Sequence, residues 1–350
     1  MKHYLLLVAC LLACLTLQGQ QTLVVKKGDA RSLLDAVAEA NRLNADQQSE
    51  RLYVLIPDGF YDLGEQVLTR ITGHNISFIG QSMKGTIIQN KPDIKNEGIS
   101  KTAIFQNRGT GNSFQDLTLK NALDYYAAGS AGRAVTLHDK GTRTICNRVC
   151  LLSYQDTYYS DNEQCLAYFR DSEIHGTVDF ICGAGDVWFE GCRLVTEKRS
   201  LDGSGRNVIA APRTSETSWG YVFNHCTIEN LVSDFEYARG WHTTPRCTWL
   251  YTTLLTPEKL IATRFDSQGM RTVQNIFKEY GTMDASGRDI TPKSNRVTFV
   301  MKEEKNEVET ILTKEEARRF TPSNVFADWQ PVKEMKKIER KARKLMKRLQ

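Results

Sequence analysis

The stretch SYQDTYYSDNEQCLAYFRDSEIHGTVDFICG, residues 153–183, contains two short acidic signatures. One centres on Asp156 and the other on Asp179, and each lies inside a run of β-branched and aromatic residues. Such runs are typical of strands. If the chain makes one coil between the two signatures, the two aspartates come to lie side by side. The spacing therefore favours a fold built from stacked coils.

A repeated pattern, apolar-x-polar-x-x-apolar, supports coils along most of the chain. Its copies are separated by steps of about 20 to 34 residues, within the range typical of solenoids. They are too short and too β-branched for helical repeats, so we predict an all-β parallel β-helix. An immunoglobulin-like sandwich is the structural alternative, but it would need hairpin turn signals about every dozen residues. The copies begin at Phe114, Ile145, Phe169, Phe189, Phe223 and Trp249.

Coils of the length that separates Asp156 from Asp179 would gather a polar cluster around these two residues. Stepping back 22 residues from Gln155, close to one such coil, reaches Arg133. Two close carboxyl groups cannot both ionise easily, so one is expected to stay charged while the other has a raised pKa and acts as an acid. Spacing alone leaves open a structural alternative, in which the cluster is only a ladder of hydrogen-bonded polar side chains inside the solenoid.

The two ends of the chain differ from the repeats. Residues 1–20 have a basic start and an apolar stretch, which predicts a signal peptide and an exported protein, periplasmic or secreted. A lipid anchor on Cys14 is the alternative to simple cleavage. The pattern at residues 30–43, with apolar residues at 33, 34, 37 and 38, predicts a short helix that caps the first coil. A second short helix is expected to start after Thr313.

The tail, residues 332–350, carries nine Lys/Arg and two Glu, and this local charge of +7 hides a slightly acidic body in a chain of net charge +5. We therefore predict a β-helix domain over residues 21–331, a basic amphipathic helical tail, no nucleic-acid partner and no integral membrane segment after signal removal. The helix is expected to pack on the body, although its charge also suits an anionic lipid surface. Its apolar stripe is Met335, Ile338, Ala342, Leu345 and Leu349.

Seven cysteines follow the leader, at uneven spacings that fit neither a disulfide framework nor a zinc site. We expect buried free thiols, with Cys192 and Cys226 stacked on neighbouring coils. The segment around Ser204 is not a serine-hydrolase elbow, and the glycines after Cys182 do not form a dinucleotide motif.

Three motifs carry a specific resemblance. QDTYY (155–159), TVDFICG (177–183) and ARGWH (238–242) are similar to the QDTLY, TVDFIFG and GRPW segments of the pectin methylesterase family, carbohydrate esterase family 8. The resemblance covers nearly the whole mature chain except the tail, 332–350. It implies a right-handed parallel β-helix and a monomeric esterase acting on methyl-esterified pectic polysaccharide or oligosaccharide. It also implies that no metal, nucleotide or redox cofactor is required.

The resemblance assigns roles to individual residues. It implies that Asp179 is the nucleophile, Asp156 the general acid/base, Gln155 an oxyanion donor and Arg239 the partner of the nucleophile. It implies that Tyr159, Val178 and Trp241 line the substrate site. Arg133 stands where the family commonly has Gln, and we predict that its charge shifts preference toward partly de-esterified pectin. Further departures are Cys182 for the second Phe of the motif, and Gly240 and His242 around Trp241.

Two other functions remain alternatives at this stage. One is a non-catalytic carbohydrate-binding β-helix, which would not need an acid and a nucleophile together. The other is a β-helix enzyme that degrades pectin by cleaving glycosidic bonds, which would release reducing ends rather than methanol.

Overall fold

The computed structural model describes residues 22–129, 132–215, 217, 219–231 and 234–349. The predicted signal peptide and the alternative lipid site at Cys14 lie outside the described residues.

Strands dominate the described chain. In order they are β1 (Thr22–Val24), β2 (Leu52–Ile56), β3 (Gly59–Asp62), β4 (Thr69–Ile71), β5 (Ile76–Gly80), β6 (Thr86–Asn90), β7 (Phe105–Asn107), β8 (Ser113–Asn121), β9 (Leu137–Asp139), β10 (Thr144–Leu152), β11 (Tyr158–Ser160), β12 (Leu166–Arg170), β13 (Glu173–Gly176), β14 (Val178–Gly183), β15 (Asp186–Glu190), β16 (Arg193–Thr196), β17 (Asn207–Pro212), β18 (Tyr221–Asn224), β19 (Thr227–Asn230), β20 (Phe235–Ala238), β21 (Arg246–Leu250), β22 (Thr253–Leu254), β23 (Ile276–Tyr280), β24 (Met283–Asp284), β25 (Arg296–Met301) and β26 (Glu304–Glu309). Four α-helices accompany them: α1 (Ala30–Leu43), α2 (Lys314–Ala317), α3 (Pro322–Phe326) and α4 (Pro331–Met346).

The strands form three parallel ladders, here called faces A, B and C. Face A is β1-β2-β5-β8-β10-β12-β15-β18-β21-β23. Face B is β3-β6-β8-β10-β13-β16-β19-β22-β24, and face C is β4-β7-β9-β11-β14-β17-β20. The long strands β8 and β10 run around the corner from face A to face B. Each turn of the chain thus contributes one strand per face, and the predicted right-handed parallel β-helix is confirmed.

A column of large side chains fills the interior behind face A. Phe169, Phe189, Phe223 and Trp249 stack on successive coils with ring centroids 4.9, 4.5 and 3.9 Å apart. The predicted repeat is wrong by one position at Ile145, because Cys146 is the residue paired with Phe114 and with Phe169. Side chains alternate along a strand, so Ile145 points outward instead, into the apolar layer under the C-terminal helices.

The third residue of each repeat turns the chain from face A to face B in a left-handed conformation. This is costly for most side chains, and polar residues or glycine tolerate it best, which explains the polar position of the pattern. The φ angles lie between 47° and 60° at Asp116, Arg148, Asp171, Gly191, His225 and Tyr251.

Helix α1 covers the N-terminal end of the interior, as predicted, and the Oδ1 of Asp29 caps it by accepting the backbone N–H of Ser32 at 3.0 Å. Its inward face differs from the predicted one. Leu33, Ala36, Val37 and Ala40 are buried, whereas Ala38 is exposed. The buried residues of α1 recur every three or four positions, as expected for one side of a helix. The buried side of α1 is therefore narrower than the predicted set of apolar residues.

The C-terminal helices pack across the outer surface of face A. Helix α2 begins after Thr313 with a reciprocal capping box to Glu316, as predicted. In α4, Met335, Ile338, Ala342 and Leu345 are buried against outward-facing residues of face A, and Leu349 beyond the helix is 38% exposed. The apolar side of the tail helix therefore packs on the body, as expected.

Two ion pairs fasten α4 to the coils beneath it. Arg51 bonds Glu334 at 2.5 Å, and Arg148 bonds Glu339 at 2.9 Å. Among the described residues no helix combines the length and apolar character needed to cross a bilayer. The domain limits 21–331 and 332–350 stay a prediction.

All seven cysteines between Cys146 and Cys247 are buried and free in the described chain, as expected. Cys192 and Cys226 lie in the interior on neighbouring coils, as members of the same buried apolar cluster.

We predict that Ile338→Ala lowers the free energy of unfolding by about 2–5 kcal/mol, because it leaves a cavity between α4 and face A. Urea denaturation followed by circular dichroism measures the change. Lys337→Ala, on the exposed side of the same helix, is the matched control and should change stability by less than about 0.5 kcal/mol. Equal effects of the two substitutions would show that α4 does not contribute its apolar side to the folded body.

Candidate active site

A cleft of about 230 Å³ opens on the outer surface of face C. Its walls include Ile99, Cys182, Ala211 and Met270, which form part of a small apolar cluster there. Six of the residues singled out by sequence line the same cleft: Arg133, Gln155, Asp156, Asp179, Arg239 and Trp241. The structure thus brings most of the predicted site residues together.

The coil register puts the two aspartates on adjacent turns. Strands β11 and β14 pair Tyr158 with Ile181 and Tyr159 with Cys182, which is the same offset that separates Asp156 from Asp179. The backbone N–H of Asp156 donates to the Val178 carbonyl oxygen at 3.3 Å, just before Asp179. A separate parallel bridge joins Arg133 to Gln155, one coil apart as the sequence suggested.

Both aspartates have unusual backbone conformations. Asp156 has φ +59° and Asp179 has φ +52°, in the left-handed region. At Asp179 the strand also bulges, because Val178 and Ile181 of β14 oppose Val208 and Ala210 of β17. Bulges and left-handed residues redirect side chains at functional sites. Here they turn two carboxyl groups toward the cleft, yet Asp156 and Asp179 remain only 4% and 7% exposed.

Arg239 holds the Asp179 carboxylate with two parallel hydrogen bonds. Its Nε donates to Oδ1 at 2.8 Å and its Nη2 to Oδ2 at 2.5 Å. Burial acts to lower the pKa of Arg239, but the bond and charge of Asp179 outweigh it and raise that pKa. A bidentate pair of this kind fixes the orientation of the carboxylate and places a positive charge against it.

Asp156 has no such arginine clamp. Burial is the largest influence on its carboxyl group and raises its pKa well above the usual value, and the neighbouring charge of Asp179 raises it further. The positive charges of Arg133 and Arg239 oppose the shift without cancelling it. The pair is therefore asymmetric: one carboxylate is clamped by a guanidinium, and the other favours its protonated form.

Glu97 is a site residue that sequence reasoning missed. Its carboxylate accepts bonds from Arg133 Nε at 3.0 Å and from Nη2 at 2.7 Å. Glu97 lies in the connection between β6 and β7, well before its partner in the chain, and no motif or repeat marks it. The Arg133 guanidinium is thus paired with a carboxylate on a neighbouring segment.

The aromatic residues divide between the interior and the cleft side. Tyr158 is fully buried and packs edge-on against Phe169 at 4.7 Å. Tyr159 points outward, stacks on His138 at 4.8 Å and has its ring 6.1 Å from that of Trp241. The Tyr159 hydroxyl donates to Asp161 Oδ1 at 2.8 Å.

Trp241 also contacts a cation. The Arg213 guanidinium lies 5.8 Å from its ring centre and is anchored by Asp161 at 2.7 Å and Glu163 at 3.0 Å. Side chains alternate along a strand, so a residue two positions after the outward-pointing Tyr159 also points outward. This alternation could have predicted that Asp161 lies on the same side of the sheet as Tyr159. Val178 is buried in β14 opposite Val208 and, like Tyr159, borders the cleft region without being part of its lining.

Within the described chain, the side chains whose donor atoms lie close enough to share one metal ion are Cys150, Glu173 and His175. They lie on the outer surface of face B, away from this cleft.

Comparison with known proteins gives the family. The model of the pectinesterase family matches residues 22–328, which is most of the chain. The chain belongs to the pectinesterase family.

Individual pectinesterases resemble it more distantly. It is 30% identical over 203 residues to a pectinesterase/pectinesterase inhibitor of Ficus pumila var. awkeotsang, covering 57% of this chain and 35% of that protein. It is 29% identical over 171 residues to pectinesterase 3 of Solanum lycopersicum, covering 49% and 29% respectively. The chain thus spans about a third of the length of these curated relatives.

Solved pectin methylesterases share the fold. The carrot enzyme superposes with a TM-score of 0.67 at 22% identity, covering 87% of this chain and 92% of the other. A pectin methylesterase in complex with a hexasaccharide superposes with a TM-score of 0.62 at 23% identity, covering 85% and 93%.

We predict that Asp156→Asn stabilises this pectinesterase-family chain at pH 7 but not at pH 4. Because the folded-state pKa of Asp156 is raised, its stability contribution is fully present below the unfolded pKa and is lost as pH rises through the folded pKa. At pH 7, folding must either protonate this carboxyl group or bury its charge, and asparagine avoids both costs. Thermal unfolding at the two pH values measures the difference.

Asp171→Asn, at a more exposed left-handed corner, is the control. A rise in the unfolding temperature of Asp156→Asn that is equal at both pH values would contradict the prediction.

Proposed function

We propose that this chain is a carboxylic ester hydrolase that removes methyl esters from galacturonate units of pectin. The observation that carries the proposal is the asymmetric carboxyl pair in an open cleft, with Asp179 clamped by Arg239 and Asp156 favouring its protonated form. Membership of the pectinesterase family supports the reaction type, and a structural neighbour is described in complex with a hexasaccharide.

In the proposed first step, Asp179 attacks the carbonyl carbon of the methyl ester. A carboxylate is a weak nucleophile, so it must be charged, desolvated and aimed, and its two bonds to Arg239 provide the charge and the aim. Negative charge develops on the carbonyl oxygen as the tetrahedral intermediate forms. The Gln155 amide, which lines the same cleft, donates to that oxygen.

Collapse of the intermediate releases methanol and leaves an acyl-enzyme on Asp179. Protonated Asp156 supplies the proton that the departing methoxide needs, which is the work that its raised pKa suits. Ionised Asp156 then takes a proton from water, and the resulting hydroxide attacks the acyl group. Free galacturonate leaves and both aspartates return to their starting states, so the net reaction consumes one water per ester.

Substrate binding in this proposal involves Tyr159, Val178 and Trp241. The Tyr159 ring is held by His138 and by its bond to Asp161, and the Trp241 ring is held against Arg213. Trp241, fixed in this way, presents an apolar surface in the cleft without losing much rotational freedom when a sugar binds, and the buried Tyr159 ring supports it at 6.1 Å. Arg133, with its charge partly neutralised by Glu97, tunes the response to neighbouring free carboxylates.

We further propose that the protein works as an exported monomer after removal of residues 1–20. The basic and apolar pattern of that segment supports export. A lipid anchor on Cys14 stays the alternative to simple cleavage.

We predict that Asp179→Asn reduces methanol release from methylated pectin by about 10³-fold or more, because an amide cannot act as the nucleophile. Gln155→Ala should reduce kcat by about 10²–10³-fold through loss of an oxyanion donor. Asp171→Asn, at an exposed corner of another face, is the matched control and should leave methanol release unchanged.

The same assay separates the alternatives. Methanol release that survives Asp179→Asn would overturn the mechanism. Wild-type protein that binds pectin without releasing methanol would indicate a binding module, and reducing ends without methanol would indicate cleavage of the polysaccharide chain.

We predict opposite effects of Arg133→Gln and Glu97→Gln on substrate preference. Arg133→Gln removes a positive charge and should lower activity on sparsely methylated relative to highly methylated pectin by about 2–5-fold, the effect of one partly exposed ion pair. Glu97→Gln releases that charge from its partner and should move the ratio the other way. The ratio of kcat/KM on the two substrates is the measurement, and an unchanged ratio in both variants would remove Arg133 from specificity.

A further inference from the structure

A cluster of metal-binding side chains lies on the outer surface of face B, on adjacent coils. Strands β10 and β13 pair Cys150 with Glu173, again one coil apart in register. His175 follows two positions later on β13, so its side chain leaves the same side of the sheet as Glu173. Register and alternation therefore bring a thiol, a carboxylate and an imidazole to one place.

The donor atoms of these three residues are close enough for one ion. One atom from each, the Cys150 Sγ, a Glu173 oxygen and a His175 nitrogen, all lie within 4.8 Å of one another. Cys150 Sγ is 4.0 Å from Glu173 Oε1, and His175 Nε2 is 2.6 Å from that same oxygen. Ligands of a tetrahedral zinc ion sit about 2.0–2.3 Å from the metal, so small rotations of these side chains would enclose it.

The surroundings of the cluster match those of a supported metal site. His175 Nδ1 is bonded to Glu197 Oε1 at 2.6 Å, which leaves Nε2 on the side of Cys150 and Glu173. The other ring nitrogen of a metal-binding histidine usually donates to a carboxylate, a backbone carbonyl or water, which fixes the ring and strengthens the ligand. The second oxygen of Glu173 accepts a bond from Arg193 Nη1 at 2.7 Å, so only Oε1 faces the thiol.

We propose that this cluster binds one Zn²⁺ ion through Cys150 Sγ, Glu173 Oε1 and His175 Nε2, with water in the fourth position. Thiolate, imidazole and carboxylate together are a donor set that suits zinc and disfavours Ca²⁺ and Mg²⁺, which prefer oxygen ligands. The side chains of His175 and Glu173 are 14% and 23% exposed, so an ion reaches the site from solvent while its ligands remain largely shielded. The ion would join two coils and lies apart from the cleft on face C.

Two further charged groups support the carboxylate ligand. Arg193 bonds Glu173 through Nη1 at 2.7 Å, and Glu229 on β19 bonds Arg193 in turn. These contacts hold Glu173 in place beside the thiol and the imidazole.

Titration of the chelator-treated, full-length protein with Zn²⁺ against a chromophoric chelator tests the proposal. We expect one ion per chain, and at least a tenfold loss of affinity in Cys150→Ser and in His175→Gln. Co²⁺ as a probe should give a near-ultraviolet sulfur-to-cobalt absorption band that Cys150→Ser abolishes. Glu229→Gln, which changes a neighbour that is not a ligand, should bind zinc as tightly as the wild type.

Three results would overturn the site: binding well below one equivalent, an affinity unchanged by Cys150→Ser, or a Co²⁺ complex without the sulfur band. Circular dichroism of each variant establishes that it is folded, and Glu173→Gln is a second ligand variant if Cys150→Ser fails to fold. None of these measurements uses methanol release, so they test the zinc site independently of the proposed esterase activity.

Discussion

Parallel pairing of adjacent coils in a fixed register is the constraint on which both sites depend. The same offset sets Tyr158 against Ile181 on face C and Cys150 against Glu173 on face B. Because side chains alternate along a strand, a slip by a single position would move every one of them to the opposite side of its sheet. The aromatic column inside the coils opposes such a slip, since the slip would take Phe169 and Phe189 out of the interior. Packing in the core thus determines which polar groups meet outside.

The carboxyl pair in the cleft lowers the stability of the folded chain. Both aspartates are nearly buried, both lie in left-handed backbone, and their charges repel. Arg239 offsets this for Asp179 alone, which leaves Asp156 as the group that resists ionisation. The same imbalance that destabilises the folded chain near neutral pH separates the two carboxyl groups into a charged partner and a proton donor. Stability and chemistry are therefore opposed at Asp156.

Much of this arrangement could be predicted from sequence because a solenoid converts spacing into proximity. The neighbours Asp156 and Asp179, and the bridge between Arg133 and Gln155, follow from one period. The error at Ile145 arose because Ile145 and Cys146 are both apolar, so the pattern alone cannot tell which faces inward. Glu97 comes from an irregular connection outside the repeats, where no period applies. Two of the zinc ligands proposed on face B, Cys150 and Glu173, are also one coil apart. They were missed because the sequence was searched for cysteines at short spacings, and ligands on adjacent coils are far apart in sequence.

Both ends of the solenoid are covered, one by helix α1 and the other by the segment that begins with the hairpin β25–β26. Helix α1 closes the first coil, while the last coil receives backbone bonds from the hairpin β25–β26 and the segment after it, including Val300 N–H to Ser267 O at 2.8 Å and Leu312 N–H to Glu279 O at 2.9 Å. A bare terminal coil would present a row of unsatisfied amide and carbonyl groups, onto which another copy could add by continuing the same ladder. These two covers therefore limit continuation of the ladder at the ends of the described chain.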